Sequence, residues 1–261
     1  MTTTWPPPGW TLGRIAHGKH EHAYYVIAPP RSGDAASLLL LHEFPGINDA
    51  LVTLAEELAD SFRVVVPSIV GRDGNPSQVG TAVRLCIRKE VHAFALGVTS
   101  PAVSWLRDLV DEVVSPDGDP FGVIGMCMTG GFALALAVDK RVRAAVVAQP
   151  ALPVHRLRCI PLPRSLERAA DLGLSPVDRA ALARTAHDGD LCARALRYRD
   201  DWISPAARLD SVEGLLGDAV GVFTLTGPNV RKHATLTGDE RDDTAVREVV
   251  QFLRERLAAP S

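Results

Sequence analysis

Cysteine is scarce in this chain: four occur in 261 residues, at positions 86, 127, 159 and 192. No two form a C-x-x-C pair, and none has zinc-like spacing. A disulfide framework does not fit so few cysteines in so long a chain, so the expectation is reduced thiols in a cytoplasmic protein. An excess of charge of one sign is also missing. The net charge of -3 leaves no electrostatic footprint for nucleic acid or an anionic membrane surface. No run approaches the roughly 18 apolar residues of a membrane span. The first eight residues lack the basic-then-apolar order of a signal peptide. Internal repeats, low-complexity tracts and an interdomain linker are absent as well, which argues against solenoids and beads-on-a-string architectures.

What is present is an ordinary globular composition, 46% hydrophobic and 23% charged, enough to bury one sizeable core. Short apolar runs alternate with amphipathic stretches, as βα units around a mostly parallel sheet require. Ser37–Leu41 reads as a buried strand, followed by a helix from about Asp49 to Asp60. Arg63–Val66 is a short strand ended by Pro67. Ser100-Pro101 opens a helix to about Val114, with Ala102, Val103, Leu106, Leu109 and Val110 on one face. Phe121–Met126 is the next strand, Gly130–Val138 the small-residue helix behind it, and Val142–Ala148 a further strand. From about Arg164 to Ala186 the pattern is helical, read as a small lid-like insertion over about 164–187. Core order resumes with Ala195–Tyr198 as strand, Pro205–Leu216 as helix, Val220–Leu225 as strand and Thr244–Leu257 as the last helix. The expected organisation is a single α/β domain spanning residues 1–261.

The most informative segment is Phe121-Gly-Val-Ile-Gly-Met-Cys-Met-Thr-Gly-Gly-Phe. A buried strand runs straight into a helix through Cys127. A reactive residue on such a strained turn needs small neighbours two before and two after it. Gly125 meets the first condition; Thr129 meets the second only loosely, although Gly130 and Gly131 follow it. The turn puts the sulfur at a helix start, where the dipole favours a thiolate and the Met128 N–H can bind an oxyanion. The plain alternative is a small apolar cysteine packed where strand meets helix.

A nucleophile elbow of the α/β-hydrolase fold is followed in chain order by an acid and then a histidine. Of the histidines after Cys127, His155 follows the Val142–Ala148 strand and His187 ends the helical insertion. Only His233 follows the last strand, where the general base belongs. Asp200 and Asp201 lie after the preceding strand; Asp201 is preferred as the orienting acid, and Asp200 reads as a solvated turn residue.

With Cys127, Asp201 and His233 in this order, the chain resembles the dienelactone hydrolase family, cysteine hydrolases of the α/β-hydrolase fold. Leu39-Leu-Leu-His-Glu-Phe-Pro-Gly is similar to the family's strand ending in a glutamate. Gly125-Met-Cys-Met-Thr-Gly-Gly is similar to its cysteine elbow, with Thr129 in place of the usual glycine. Asp201-Trp-Ile-Ser-Pro is similar to the loop carrying its acid. The resemblance implies that Glu43 contacts the resting thiol and shares in its activation, and that the N–H of Phe44 is the second oxyanion donor beside that of Met128. A glutamate just past a buried strand is costly unless partnered, which supports a site role on its own; the alternative is a rim carboxylate paired with a surface cation. His42-Glu43 is not a zincin motif, because no second histidine follows at helical spacing. The family holds its substrate carboxylate with arginines. Arg88 lies in a plausible position and Arg231 is near His233, while a solvated surface role stays open for both.

The expected activity is therefore cysteine-dependent hydrolysis of a small ester or lactone through a thioester, carboxymethylenebutenolidase-like, without metal or organic cofactor. The expected partner is that small molecule, with neither nucleic acid nor membrane, for a monomer or small homo-oligomer. Two other classes remain: a degenerate binding protein that keeps fold and pocket without turnover, and a redox sensor built on Cys127.

Overall fold

The computed structural model describes residues 5–29, 35–77, 93–157, 160–227 and 232–258. Its centre is one eight-stranded sheet in the order β1-β2-β4-β3-β5-β6-β9-β10. Six strands run parallel: β3 (Ser37–Leu41), β4 (Arg63–Pro67), β5 (Phe121–Met126), β6 (Val142–Ala148), β9 (Cys192–Tyr198) and β10 (Val220–Leu225). β1 (Thr11–His17) and β2 (His20–Ile27) form an antiparallel hairpin, and β2 joins the sheet antiparallel to β4. The sequence reading did not place this hairpin, although Gly18-Lys19 is a turn signal between two half-polar runs. β7 (Arg156–Leu157) and β8 (Ile160–Pro161) make a separate two-stranded ribbon.

The period-2 alternation of the strands splits the core into two layers. Leu39, Leu41, Phe121, Val123, Ala145 and Val147 face one layer, while Leu38, Leu40, Ile124, Met126, Val146 and Ala148 face the other. Each fully buried leucine contributes roughly 1.5–3 kcal/mol, and Leu38 to Leu41 have no exposed surface at all. That is why these strands read as unbroken apolar runs rather than alternating ones.

The first layer is covered by α2 (Ala102–Leu109), α3 (Gly130–Leu136), α5 (Pro176–His187) and α6 (Ala206–Leu216). The second is covered by α1 (Asp49–Ala59) and α7 (Asp243–Leu257). Asn48 caps α1 by accepting the Leu51 N–H at 3.0 Å, and Asp242 caps α7 by accepting from Thr244 and Ala245. The helix expected to reach Val114 changes to a π-helical turn over Val110–Val114, and β9 starts three residues earlier than its apolar pattern suggests.

Between β6 and β9 lie α4 (Ser165–Ala170) and α5, in the span expected to be helical. Leu172, Leu174 and Leu182 of this span join the first core layer. Arg208 of α6, fully buried, fastens the end of α4 to the loop after β6: it donates to the carbonyls of Arg168 and Asp171 and also to those of Pro150 and Pro153. Burial lowers this guanidinium to about 10, and its hydrogen bonds go to backbone carbonyls.

Candidate active site

In an open α/β sheet, ligands bind at the carboxyl ends of the parallel strands. Glu43 and Phe44 follow β3, Cys127 follows β5, Gln149 follows β6, Asp201 follows β9, and His233 lies beyond β10.

Cys127 sits on the turn between β5 and a 3-10 turn over Cys127–Thr129 that leads into α3. Its φ is +51°, in the left-handed region that non-glycine residues seldom adopt. Two neighbours make this turn possible. A Cβ on Gly125 would lie 2.4 Å from the Thr129 carbonyl oxygen, so only glycine fits. Thr129 replaces the usual small residue because it has work for its hydroxyl: Oγ1 accepts the buried Met126 N–H at 2.9 Å. Carbonyls of Met126 and Leu41 lie within its reach at 2.9 and 3.3 Å, tying the turn to the end of β3.

His233 Nδ1 lies 2.7 Å from Asp201 Oδ2. Asp201 is 3% exposed, and its other oxygen accepts the N–H groups of Ile203 (2.9 Å) and Ser204 (3.2 Å). Arg197 fixes the same loop by donating to the carbonyls of Asp201 and Ser204. Glu240 does this for the histidine loop, accepting from the backbone of His233 and Ala234. Asp200, one residue away, is exposed. Burial alone would lower the His233 imidazole. Cys127 and Asp201 beside it outweigh that and raise it to about 11.

A ring nitrogen of His233, the Cys127 sulfur and a Glu43 carboxylate oxygen all lie within 4.8 Å of one another. The Glu43 side chain is held by Thr237 Oγ1 on one oxygen and by Gln149 Nε2, at 3.3 Å, on the other. Gln149 is itself fully buried, has φ +35°, and accepts from the Thr235 hydroxyl and N–H. Burial raises the Glu43 carboxyl above its ordinary range, against the opposing pull of Thr237, His233 and Gln149. His42, fully buried, steadies the loop from below: Nδ1 donates to the Glu43 carbonyl at 2.9 Å, while Nε2 accepts from Ile69 and Val70. Burial lowers this imidazole, consistent with a neutral ring in that tautomer.

Cys127, Glu43, His233, Phe44 and Met128 line one cavity of about 320 Å³. Its remaining wall comes from residues 151, 152 and 154–156 of the loop after β6 together with Trp202 and Ile203. The segment 164–187 contributes nothing to the lining; the loop after β6 does so instead. Arg88, together with Cys86, Cys159 and Arg231, lies outside the described residues. Sequence reasoning missed Arg156, whose guanidinium carbon lies 5.9 Å from the centre of the Trp202 ring. Only adjacency to the β6 end could have drawn attention to it. A larger hollow of about 400 Å³, at β10 and α7, shares no lining residue with this cavity.

No curated protein matches the chain in sequence. Solved structures share its fold over nearly its whole length. A Klebsiella pneumoniae protein described as a candidate dienelactone hydrolase superposes with a TM-score of 0.62 at 14% identity, covering 96% of this chain and 99% of its own. An esterase from Pyrococcus furiosus gives 0.57 at 12% identity, over 95% of this chain and 93% of its own. An α/β serine hydrolase homologue from Coxiella burnetii gives 0.54 at 13%, over 95% and 97%. At such identities the likeness speaks for the fold. The sequence model of the dienelactone hydrolase family matches residues 23–169, which include the Glu43 loop and the Cys127 elbow but stop before Asp201 and His233. Because that match spans more than half of the 261 residues, the chain belongs to the dienelactone hydrolase family, hydrolases of the α/β fold.

Proposed function

We propose that the protein hydrolyses a small ester or lactone with Cys127 as nucleophile, and that the reaction passes through a thioester. The observation carrying this reading is the left-handed Cys127 on its elbow, facing a histidine whose far nitrogen is held by a buried aspartate.

The Cys127 thiol gives its proton to His233 Nε2 as the sulfur attacks the carbonyl carbon, and the resulting oxyanion is met by the N–H groups of Phe44 and Met128. As the tetrahedral centre collapses, the C–O bond breaks and His233 Nε2 gives a proton to the departing alkoxide. In a lactone that alkoxide stays attached as part of the same molecule. A water then attacks the thioester, with His233 taking its proton, and the acid leaves with the thiol restored. Asp201 holds the imidazole in the tautomer that these steps need. The cavity favours small substrates, and its apolar lining by Phe44, Met128, Leu152 and Val154 suits a compact acyl group. Arg156 supplies one cation at that wall for a carboxylate on the substrate.

The direct test is turnover of an aryl ester before and after alkylation with iodoacetamide. Activity lost in step with labelling of Cys127 is the expected result. Full activity after Cys127 is completely labelled would remove the cysteine mechanism, and tight ester binding with no turnover would indicate a binding protein.

Glu43 gives a separate expectation. Its carboxylate lies within 4.8 Å of both the sulfur and a ring nitrogen of His233, so it assists as an acceptor while the thiol proton moves to the histidine. Glu43→Gln keeps the shape and the contacts to Thr237 while removing that acceptor. General-base contributions are about 100- to 10,000-fold, so a fall in turnover of at least about tenfold is expected. The rate of Cys127 alkylation across pH should differ as well. Unchanged turnover with superimposable alkylation profiles would leave Glu43 as a structural residue.

A further inference from the structure

Taking the active-site reading above as its starting point, we propose that the resting site also binds a thiophilic divalent cation, with Zn²⁺ the natural probe, and that the bound ion switches the hydrolase off. The juxtaposition behind this is a sulfur, an imidazole nitrogen and a carboxylate oxygen within 4.8 Å of one another at one wall of a cavity.

Three features make the cluster a ligand set. The donors are of the kinds that zinc takes, with bonds of about 2.3 Å to sulfur and about 2.0–2.2 Å to nitrogen and oxygen. Tetrahedral coordination needs donor pairs about 3 to 4 Å apart, so the widest pair closes by about 1 to 2 Å at most. The histidine is oriented as a ligand. Its Nδ1 is committed to Asp201 at 2.7 Å, which leaves Nε2 for the Cys127 sulfur beside it. An aspartate behind a metal-binding histidine is the usual outer-shell arrangement. The fourth position opens onto the cavity, where a water can complete the shell.

Binding involves no electron transfer. The cation takes the sulfur lone pair and the Nε2 lone pair, and the proton shared by Cys127 and His233 passes to solvent. Those are the two electron pairs that the hydrolytic cycle uses, so occupancy and turnover exclude each other. Hard cations are a poor match: Mg²⁺ and Ca²⁺ prefer all-oxygen shells, and this cluster offers one oxygen ligand.

The experiment has two readouts. Metal-free protein is titrated with Co²⁺, whose bond to a thiolate absorbs strongly in the near ultraviolet, and aryl ester turnover is followed with added Zn²⁺ or Mg²⁺. The expected result is a Co²⁺ band that Zn²⁺ displaces. The band should be lost in Cys127→Ser and kept in Cys86→Ser, Cys159→Ser and Cys192→Ser. Asp201→Asn should weaken binding about 10- to 100-fold. Zn²⁺ should stop turnover reversibly, with EDTA restoring it and Mg²⁺ having no effect. A band that survives in Cys127→Ser, or ester turnover indifferent to Zn²⁺, overturns the proposal while leaving the hydrolase reading intact. A Co²⁺ band that depends on Cys127 in a protein without ester turnover supports the cation site and sinks the hydrolase reading instead.

Discussion

Cys127→Ala is expected to abolish ester turnover while the protein stays folded. The substitution removes one sulfur from a partly exposed position that borders the core layer under α3. Alanine meets the same left-handed backbone cost as cysteine at φ +51°, so the turn itself gains no new strain. The conditions that build the elbow, the missing Cβ at Gly125 and the Thr129 hydroxyl on the Met126 N–H, are untouched. What disappears is the thiol that the proposed mechanism needs to form its thioester. The Phe44 and Met128 donors can still polarise a carbonyl, but without a nucleophile they leave only a weak background. Cys127→Ser should also be weak, because a hydroxyl ionises far less readily than a thiol. Turnover with an aryl ester and thermal melting decide the matter together. An alanine variant that melts normally and turns over close to the parent rate would sink the mechanism.

Asp201→Asn should be the second most damaging change, lowering turnover by about 100- to 10,000-fold. The amide keeps an oxygen for the N–H groups of Ile203 and Ser204, so the loop fixed by Arg197 persists. The face toward His233 is what changes. A carboxylate accepts a hydrogen bond from Nδ1–H and leaves Nε2 free to exchange protons with the sulfur and the leaving group. An asparagine amide turned the other way donates to Nδ1 and puts the proton on Nε2, where a base is needed. The charge effect adds to this: Asp201 is one of the groups that raise His233, so its loss lowers the imidazole. The imidazolium is then lost at lower pH, and the apparent histidine pKa in the rate profile should move down. A rate within a few-fold of the parent, with an unmoved profile, would reduce the Asp201–His233 contact to a structural one.

Much of the scaffold was legible because its causes are local. β3, β5, β6 and β10 are apolar runs bounded by polar or turn residues, and the structure forms them at the expected residues. The elbow was legible for a steric reason: a strand passing directly into a helix needs Gly125, and the cost of a Cβ there follows from the turn alone. Thr129 looked like a defect on that criterion. Its hydroxyl takes up the Met126 N–H locally, and the tie to the Leu41 carbonyl of a different strand exists only in the packed sheet. The β1–β2 hairpin escaped notice because its residues are half-buried and polar, as an edge ribbon allows, so no strong apolar period marks it.

By itself, the sequence determined the α/β alternation, the family and the turn that carries Cys127, because strand periodicity and backbone sterics act between near neighbours. Tertiary structure alone decided which groups meet there. Asp201 and His233 are 32 residues apart, and the Thr237 hydroxyl reaches Glu43 across 194. Gln149 joins that carboxylate to Thr235, and Arg156 and Trp202 come from separate loops to one cavity wall. Such contacts follow from how far each strand end projects past its neighbours, a property of the packed sheet that no local pattern encodes.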